Sequence, residues 1–233
     1  MDNSFILDIM EPNSMMSIEQ EMNMYHLLSR VIFLKIPGAI VELGCHEGLT
    51  AAIMQKTLNQ LNSKKKIYVY DSFEGLPEQS KKDKGPINFK KGSLKTNEKK
   101  LIETFKRLKL KTPKINKCWF KDIPKNKLPK KICFAHLDGD FYSSVKESLE
   151  IVYPLLVKDA IMIIDDYCNL KIHKKIEKKL NSNKWNHNRK RKYLIKDYFP
   201  GVKKACDEFF NKKKEKVHIL ISGDQCHAYI VKK

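Results

Sequence analysis

Arginine is scarce in this chain. Only 4 of its 46 basic residues are arginine, and the other 42 are lysine. Proteins that read nucleic acid lean on arginine for forked contacts to phosphate and guanine, so a formal charge of +19 does not by itself establish a nucleic-acid partner. Long apolar runs are lacking as well. No stretch approaches the ~18 residues that a membrane-spanning helix requires, and no membrane partner is expected. The opening residues, MDNSFILDIMEPNSMM, have neither a basic start nor a long apolar segment, so no secretory leader is read and a cytoplasmic location is expected. The six cysteines (Cys45, Cys118, Cys133, Cys168, Cys206 and Cys226) form no C-x-x-C pair, and most fall within apolar runs. That spacing fits reduced core cysteines, and no zinc site is expected from it. There is no internal repeat and no G-x-G-x-x-G fingerprint.

What is present is a core. Hydrophobic residues make up 42% of 233, enough for a single domain over 1–233. The positive charge is local. Residues 81–131 hold 19 basic and 4 acidic residues, and residues 171–192 hold 10 basic and 1 acidic. The rest of the chain is mildly acidic.

Apolar runs of strand length occur at Ala39–Leu43, Ile67–Tyr70, Ile115–Phe120, Ile132–Leu137, Ala160–Ile164, Val217–Ile221 and His227–Val231. Runs apolar throughout are the mark of strands buried on both faces. Helical spacing fills the gaps at Leu49–Leu61 and Asn97–Leu110. A further helix is expected at a capping box, Ser144 to Glu147, and another from Val202 through Phe210. A stripe of Ile18, Met22, Tyr25, Leu28 and Ile32 makes residues 1–38 a helical cap. Strand–helix alternation predicts an α/β fold: a seven-stranded, mostly parallel, Rossmann-like sheet with helices on both faces. The last two strands have only Ser222–Cys226 between them, with Gly223-Asp224 in the link, so they should form an antiparallel β-hairpin. Five βα units closed by such a hairpin resemble the class I methyltransferases.

Four motifs sit at strand ends, where open α/β sheets bind ligands. Glu42-x-Gly44-x-x-x-Gly48 is a turn in which glycines let backbone approach a ligand. It suits a group with a carboxylate and a ribose but no pyrophosphate, and it also suits an ordinary tight turn. Asp71 ends the second strand, where an acidic residue can take both ribose hydroxyls or simply cap a turn. Asp138 ends the fourth strand, and Asp165 and Asp166 end the fifth. Neighbouring strands lie ~4.8 Å apart, so these carboxylates should converge, and their repulsion calls for a cation. An all-oxygen set favours Mg²⁺, Ca²⁺ or Mn²⁺.

The segments VELGCHEGLTAAIM, VYDSFEGLP, WFKDIP, LDGDFYSSVKESLEIVYPLL and MIIDDY resemble the macrocin O-methyltransferase family. Its members use S-adenosyl-L-methionine and Mg²⁺ to methylate sugar hydroxyls. The resemblance spans about residues 20–167 and resumes at 201–210. It implies that Glu42, Gly44 and Gly48, with the backbone of Cys45 and His46, line the methionine and ribose of the cofactor. It further implies that Asp71 takes the ribose hydroxyls beside Ser72, and that Trp119 to Asp122 flanks the adenine. Asp138, Asp165 and Asp166 would bind Mg²⁺. Asp138 could be ligand and base together, with Asp140 or a histidine as alternative bases. Phe141 stands where catechol-type enzymes carry a lysine. A homodimer is likewise implied by the family alone.

Residues 168–200 depart from the family pattern as a basic insertion at the mouth of the site. They read either as a solvated lysine-rich loop or short helix, or as a lid that attracts a phosphorylated acceptor, such as a nucleotide-linked sugar, through Lys190 and Lys192. The competing function class uses the same charge for RNA, as a ribose 2′-O-methyltransferase or a non-catalytic binding module.

Overall fold

The structure, a computed structural model, describes residues 15–182, 198–223 and 225–233. Lys190, Lys192, Asp224 and the rest of 1–14 and 183–197 lie outside the described residues. Five strands run parallel: β1 (Ala39–Leu43), β2 (Ile67–Asp71), β3 (Lys114–Lys117), β4 (Ile132–Leu137) and β5 (Leu156–Asp165). β6 (His218–Leu220) and β7 (His227–Val231) form the expected hairpin, and β7 lies antiparallel to β5. The sheet order is β3-β2-β1-β4-β5-β7-β6. The chain changes direction across the sheet between β1 and β4, which opens a crevice above their carboxyl ends.

Six helices are described: α1 (Ile18–Phe33), α2 (Leu49–Gln60), α3 (Glu98–Arg107), α4 (Tyr142–Val152), α5 (Leu170–Ser182) and α6 (Pro200–Phe210), joined by short 3₁₀ turns including Lys81–Asp83 and Phe120–Asp122. Alternate strand residues feed two cores. Ile40, Val69, Phe134, Ile161 and Ile163 face α1, α2 and α3. Val41, Tyr70, Ala135, Met162 and Ile164 face α4 and α6. This two-sided burial explains why β1 and β4 carry almost no polar residue. The exceptions, Glu42 and His136, are fully buried.

Some boundaries differ from the sequence reading, each for a local reason. α1 opens at Ser17, whose hydroxyl accepts the Gln20 N–H while the Gln20 side chain takes the Ser17 N–H. β5 begins at Leu156 rather than Ala160. Its first residues lie across a register shift between Ile132 and Phe134 of β4, and Asp159 there has φ 64°, so a charged bulge breaks the apolar run. β3 ends at Lys117, because Trp119 and Phe120 turn into a 3₁₀ segment. The capping box expected at Ser144 does not form. α4 starts at Tyr142, three residues before the start such a box would set, and its first N–H, from Tyr142, is taken by Asp83 Oδ1 at 2.6 Å.

Candidate active site

A cavity of about 510 Å³ occupies the crevice, within the range of small-molecule sites. The β1–α2 turn forms one wall. Gly44 has φ 88°, and a Cβ there would stand 1.7 Å from the carbonyl oxygen of Asp138. The turn can therefore lie against the β4 tip only with glycine at this position. Asp71 reaches over from β2 to hold the turn. Its Oδ2 accepts the N–H groups of Cys45 (3.0 Å) and His46 (2.9 Å), and its Oδ1 accepts that of Phe73 (2.7 Å). Gly44, Cys45, His46, Asp71, Ser72 and Trp119 all line the cavity.

Three residues expected at the cofactor do not reach that wall. Glu42 is fully buried beneath it, bonded to His136 Nδ1 at 3.0 Å. Gly48 is the left-handed cap of α2, backed against Leu101 and Phe105. Asp122 is exposed on the 3₁₀ turn, whose Trp119 and Phe120 face inward instead.

The cavity floor is acidic. Sequence placed Asp138, Asp165 and Asp166 around one ion. In the structure the carboxylates of Asp138, Asp140 and Asp166 are the set that lies within 4.8 Å of one another. Asp165 lines the cavity too, but it ends β5 on the α1 side, where Gln20 Nε2 donates to its Oδ1 at 2.8 Å. Loss of water, then the neighbouring carboxylates, pushes Asp138 and Asp166 well above the usual carboxylate range. Asp140 is pushed up to about 7 by burial and by Asp165 and Asp71. Among the described residues no lysine or arginine lines the cavity, so the repulsion is met by no protein cation. Oxygen donors in this arrangement fit a hard divalent ion. His46, Phe73, Asp140 and Asp166 all have φ between 45° and 57°. Left-handed backbone at non-glycine residues is costly and gathers at functional sites.

Beneath the floor runs a row whose connection the sequence did not show: the buried Glu42, His136 and His227 with the partly buried Asp165, from four adjacent strands. His136 Nε2 lies 3.9 Å from Asp165 Oδ2, and His227 Nε2 lies 4.0 Å from Asp165 Oδ1. Burial pulls His136 down, but Glu42 and Asp165 outweigh it and the net shift is upward. Burial brings His227 down to about 4, so it is neutral at pH 7. The available signal was an ionisable residue near the carboxyl end of β1, β4 and β5 and at the amino end of the antiparallel β7. Beyond the acidic floor the wall is apolar, built of Ile87, Phe89 and Phe199, with the two phenylalanine rings stacked at 6.1 Å.

A family model described as macrocin O-methyltransferase matches residues 11–193. The chain belongs to that family. The match runs past residue 167 into the basic segment. Two curated relatives share 26% and 24% identity over 163 residues, covering 66% of this chain and 62% of each relative. They are the 8-demethyl-8-(2,3-dimethoxy-alpha-L-rhamnosyl)-tetracenomycin-C 4'-O-methyltransferase of Streptomyces olivaceus and the demethyldecarbamoylnovobiocin O-methyltransferase of Streptomyces niveus. The chain thus spans less than two thirds of the length of these relatives. Among solved structures, the O-methyltransferase NovP superposes with a TM-score of 0.70 at 21% identity, over 93% of this chain and 80% of that one. The fold is that of the class I methyltransferases.

Proposed function

We propose that this macrocin O-methyltransferase family member transfers a methyl group from S-adenosyl-L-methionine to a sugar hydroxyl of a small molecule, with Mg²⁺ at the acidic floor. The observation that carries the reading is the placement of the Asp138, Asp140 and Asp166 carboxylates beside the Gly44 turn in one nucleoside-sized cavity. When bound, the sulfonium donor would supply an electrophilic methyl group and the ion would polarise the acceptor oxygen.

The chain's own residues do the rest. Gly44 and the Asp71-braced turn present backbone to the methionine and ribose. Trp119 and Phe120 offer flat apolar faces to the base. Ile87, Phe89 and Phe199 exclude water around the acceptor. Asp138 and Asp166 would hold the ion together with Asp165 on the same strand tip or Asp140 in the same cluster. Asp138 and Asp140 are the carboxylates placed to accept the hydroxyl proton. Aligning both reactants in one enclosed site supplies much of the acceleration.

Two finer expectations belong to this reading: a nucleotide-linked acceptor, drawn in by the basic segment 168–200 through Lys190 and Lys192, and an active homodimer. The nucleic-acid alternative is not favoured, because the described wall is lined by carboxylates and lacks a basic track for a phosphate backbone. The test is methyl transfer to a panel of free and nucleotide-linked sugars, with Mg²⁺ and with chelator. Asp138→Ala and Asp166→Ala should each keep the circular dichroism of the parent and lose at least about 1000-fold in turnover. Near-normal transfer in either variant, or in chelator, would overturn the metal-assisted reading.

A further inference from the structure

A second constellation lies outside the cavity, on the far side of the β5 tip. Cys168 follows β5, His173 sits on the first turn of α5, and Cys226 immediately precedes β7. Their exposures are 4%, 8% and 2%. One ligand atom from each, two sulfurs and a ring nitrogen, lies within 4.8 Å of the others. All six cysteines of the chain are free.

We propose that Cys168, His173 and Cys226 form a binding site for a thiophilic divalent cation, of which zinc is the type, stapling α5 to the tips of β5 and β7. Three observations support it. The first is the donor set: thiolate and imidazole select zinc over the hard cations that suit the acidic floor. The second is the histidine. Its Nδ1 lies 3.0 Å from the carbonyl oxygen of Asn169 and 3.9 Å from Cys168 Sγ, while its Nε2 is buried with no partner among the described residues. Nδ1 is the ring nitrogen that faces the sulfur, and with the proton on Nε2 its lone pair is available to a metal; a half-turn of the ring would present Nε2 instead. The third is space. A pocket of about 20 Å³ beside the imidazole is lined by His173, Glu177, Ser222 and Gln225 but by neither cysteine, room for one water next to the histidine. Zinc–sulfur bonds of about 2.3 Å hold tetrahedral ligand atoms about 3.8 Å apart, so side-chain rotation suffices to close the set. Each thiol gives its proton to solvent as its sulfur–metal bond forms. The ligands are scattered over three chain segments, which is why cysteine spacing alone argued against zinc.

This site is independent of the methyl-transfer reading, and its test does not use activity. Reduced, chelator-stripped full-length protein, titrated with cobalt(II) in excess Mg²⁺, should develop a thiolate-to-cobalt charge-transfer band and intense tetrahedral d–d bands. Both should saturate near about one equivalent per chain. Cobalt held by carboxylates alone gives weak octahedral bands and no sulfur band. Cys168→Ser and Cys226→Ser should each abolish the sulfur band and weaken zinc binding at least about 100-fold. Cys118→Ser, at the opposite edge of the sheet, should leave both unchanged. X-ray absorption at the zinc edge of the unaltered protein needs no variant to fold and should find two sulfur neighbours at about 2.3 Å. A metal shell without sulfur, or a sulfur band that survives both serine variants, would overturn the proposal.

Discussion

Single residues at strand tips decide the geometry of the cavity, and Gly44 is the most constrained of them. Its left-handed φ and the backbone oxygen 1.7 Å from a would-be Cβ leave no room for alanine. Gly44→Ala should lower stability by about 3 kcal/mol, measured by urea denaturation, and should weaken any ligand that displaces water from the turn. At this scale the sequence was informative where a residue type has one job at one place. Gly44, Asp71, Asp138 and Asp166 were legible as strand-end residues. The Glu42–His136 pair was not, because it depends on the β1–β4 register, in which position 42 faces position 136, and register is a long-range fact. The cavity's use of Asp140 in its carboxylate cluster was also hidden, since it follows from a left-handed backbone at that residue.

Elements are joined here by side chains that serve a neighbour rather than their own segment. Asp83 is the clearest case. Its Oδ2 accepts the Ser80 N–H at 2.9 Å, closing a 3₁₀ capping box, while its Oδ1 caps α4. Gly201, at the start of α6, packs so closely that a Cβ would meet Asp83 Oδ1 at 1.9 Å. Asp83→Ala should therefore cost about 1–2 kcal/mol, the upper range for a lost helix cap, with amide exchange in the first turn of α4 rising more than in α2. The central helices and strands were legible from periodicity, as apolar runs and apolar stripes have different periods. The start of α4 was not. A local capping box would use the N–H groups of Ser144 and Glu147, whereas the cap supplied from 59 residues away takes that of Tyr142, and only the folded chain shows which turn opens the helix.

Over the whole molecule, the two cores hold the sheet and the C-terminal strand locks it. Glu215 accepts from the Tyr153 hydroxyl (2.7 Å), the Lys233 N–H (3.1 Å) and the Lys232 ammonium (3.3 Å). Burial works against its ionisation, but these donors outweigh it and hold the carboxyl at about 2, below its ordinary 4.5. A depressed carboxyl stabilises the fold above its unfolded value, and that contribution is lost as pH falls from 4.5 toward 2. Glu215→Gln should cost about 2 kcal/mol at pH 7 and show a shallower loss of stability between pH 5 and 3 (~2 units, by urea melts). The overall architecture was legible because strand–helix alternation and a terminal pair of strands without a helix between them admit few sheet orders. The distribution of charge was legible as composition, yet its meaning was not: the cavity floor is acidic although the chain is strongly basic. One contact of α1 extends this. Gln20 grips Asp165, and Met15 and Met16 from the same end of the chain line the cavity. By thermodynamic reciprocity, an occupant that packs on those side chains tightens the hold of the first helix, and whatever loosens that helix must weaken the occupant by the same factor.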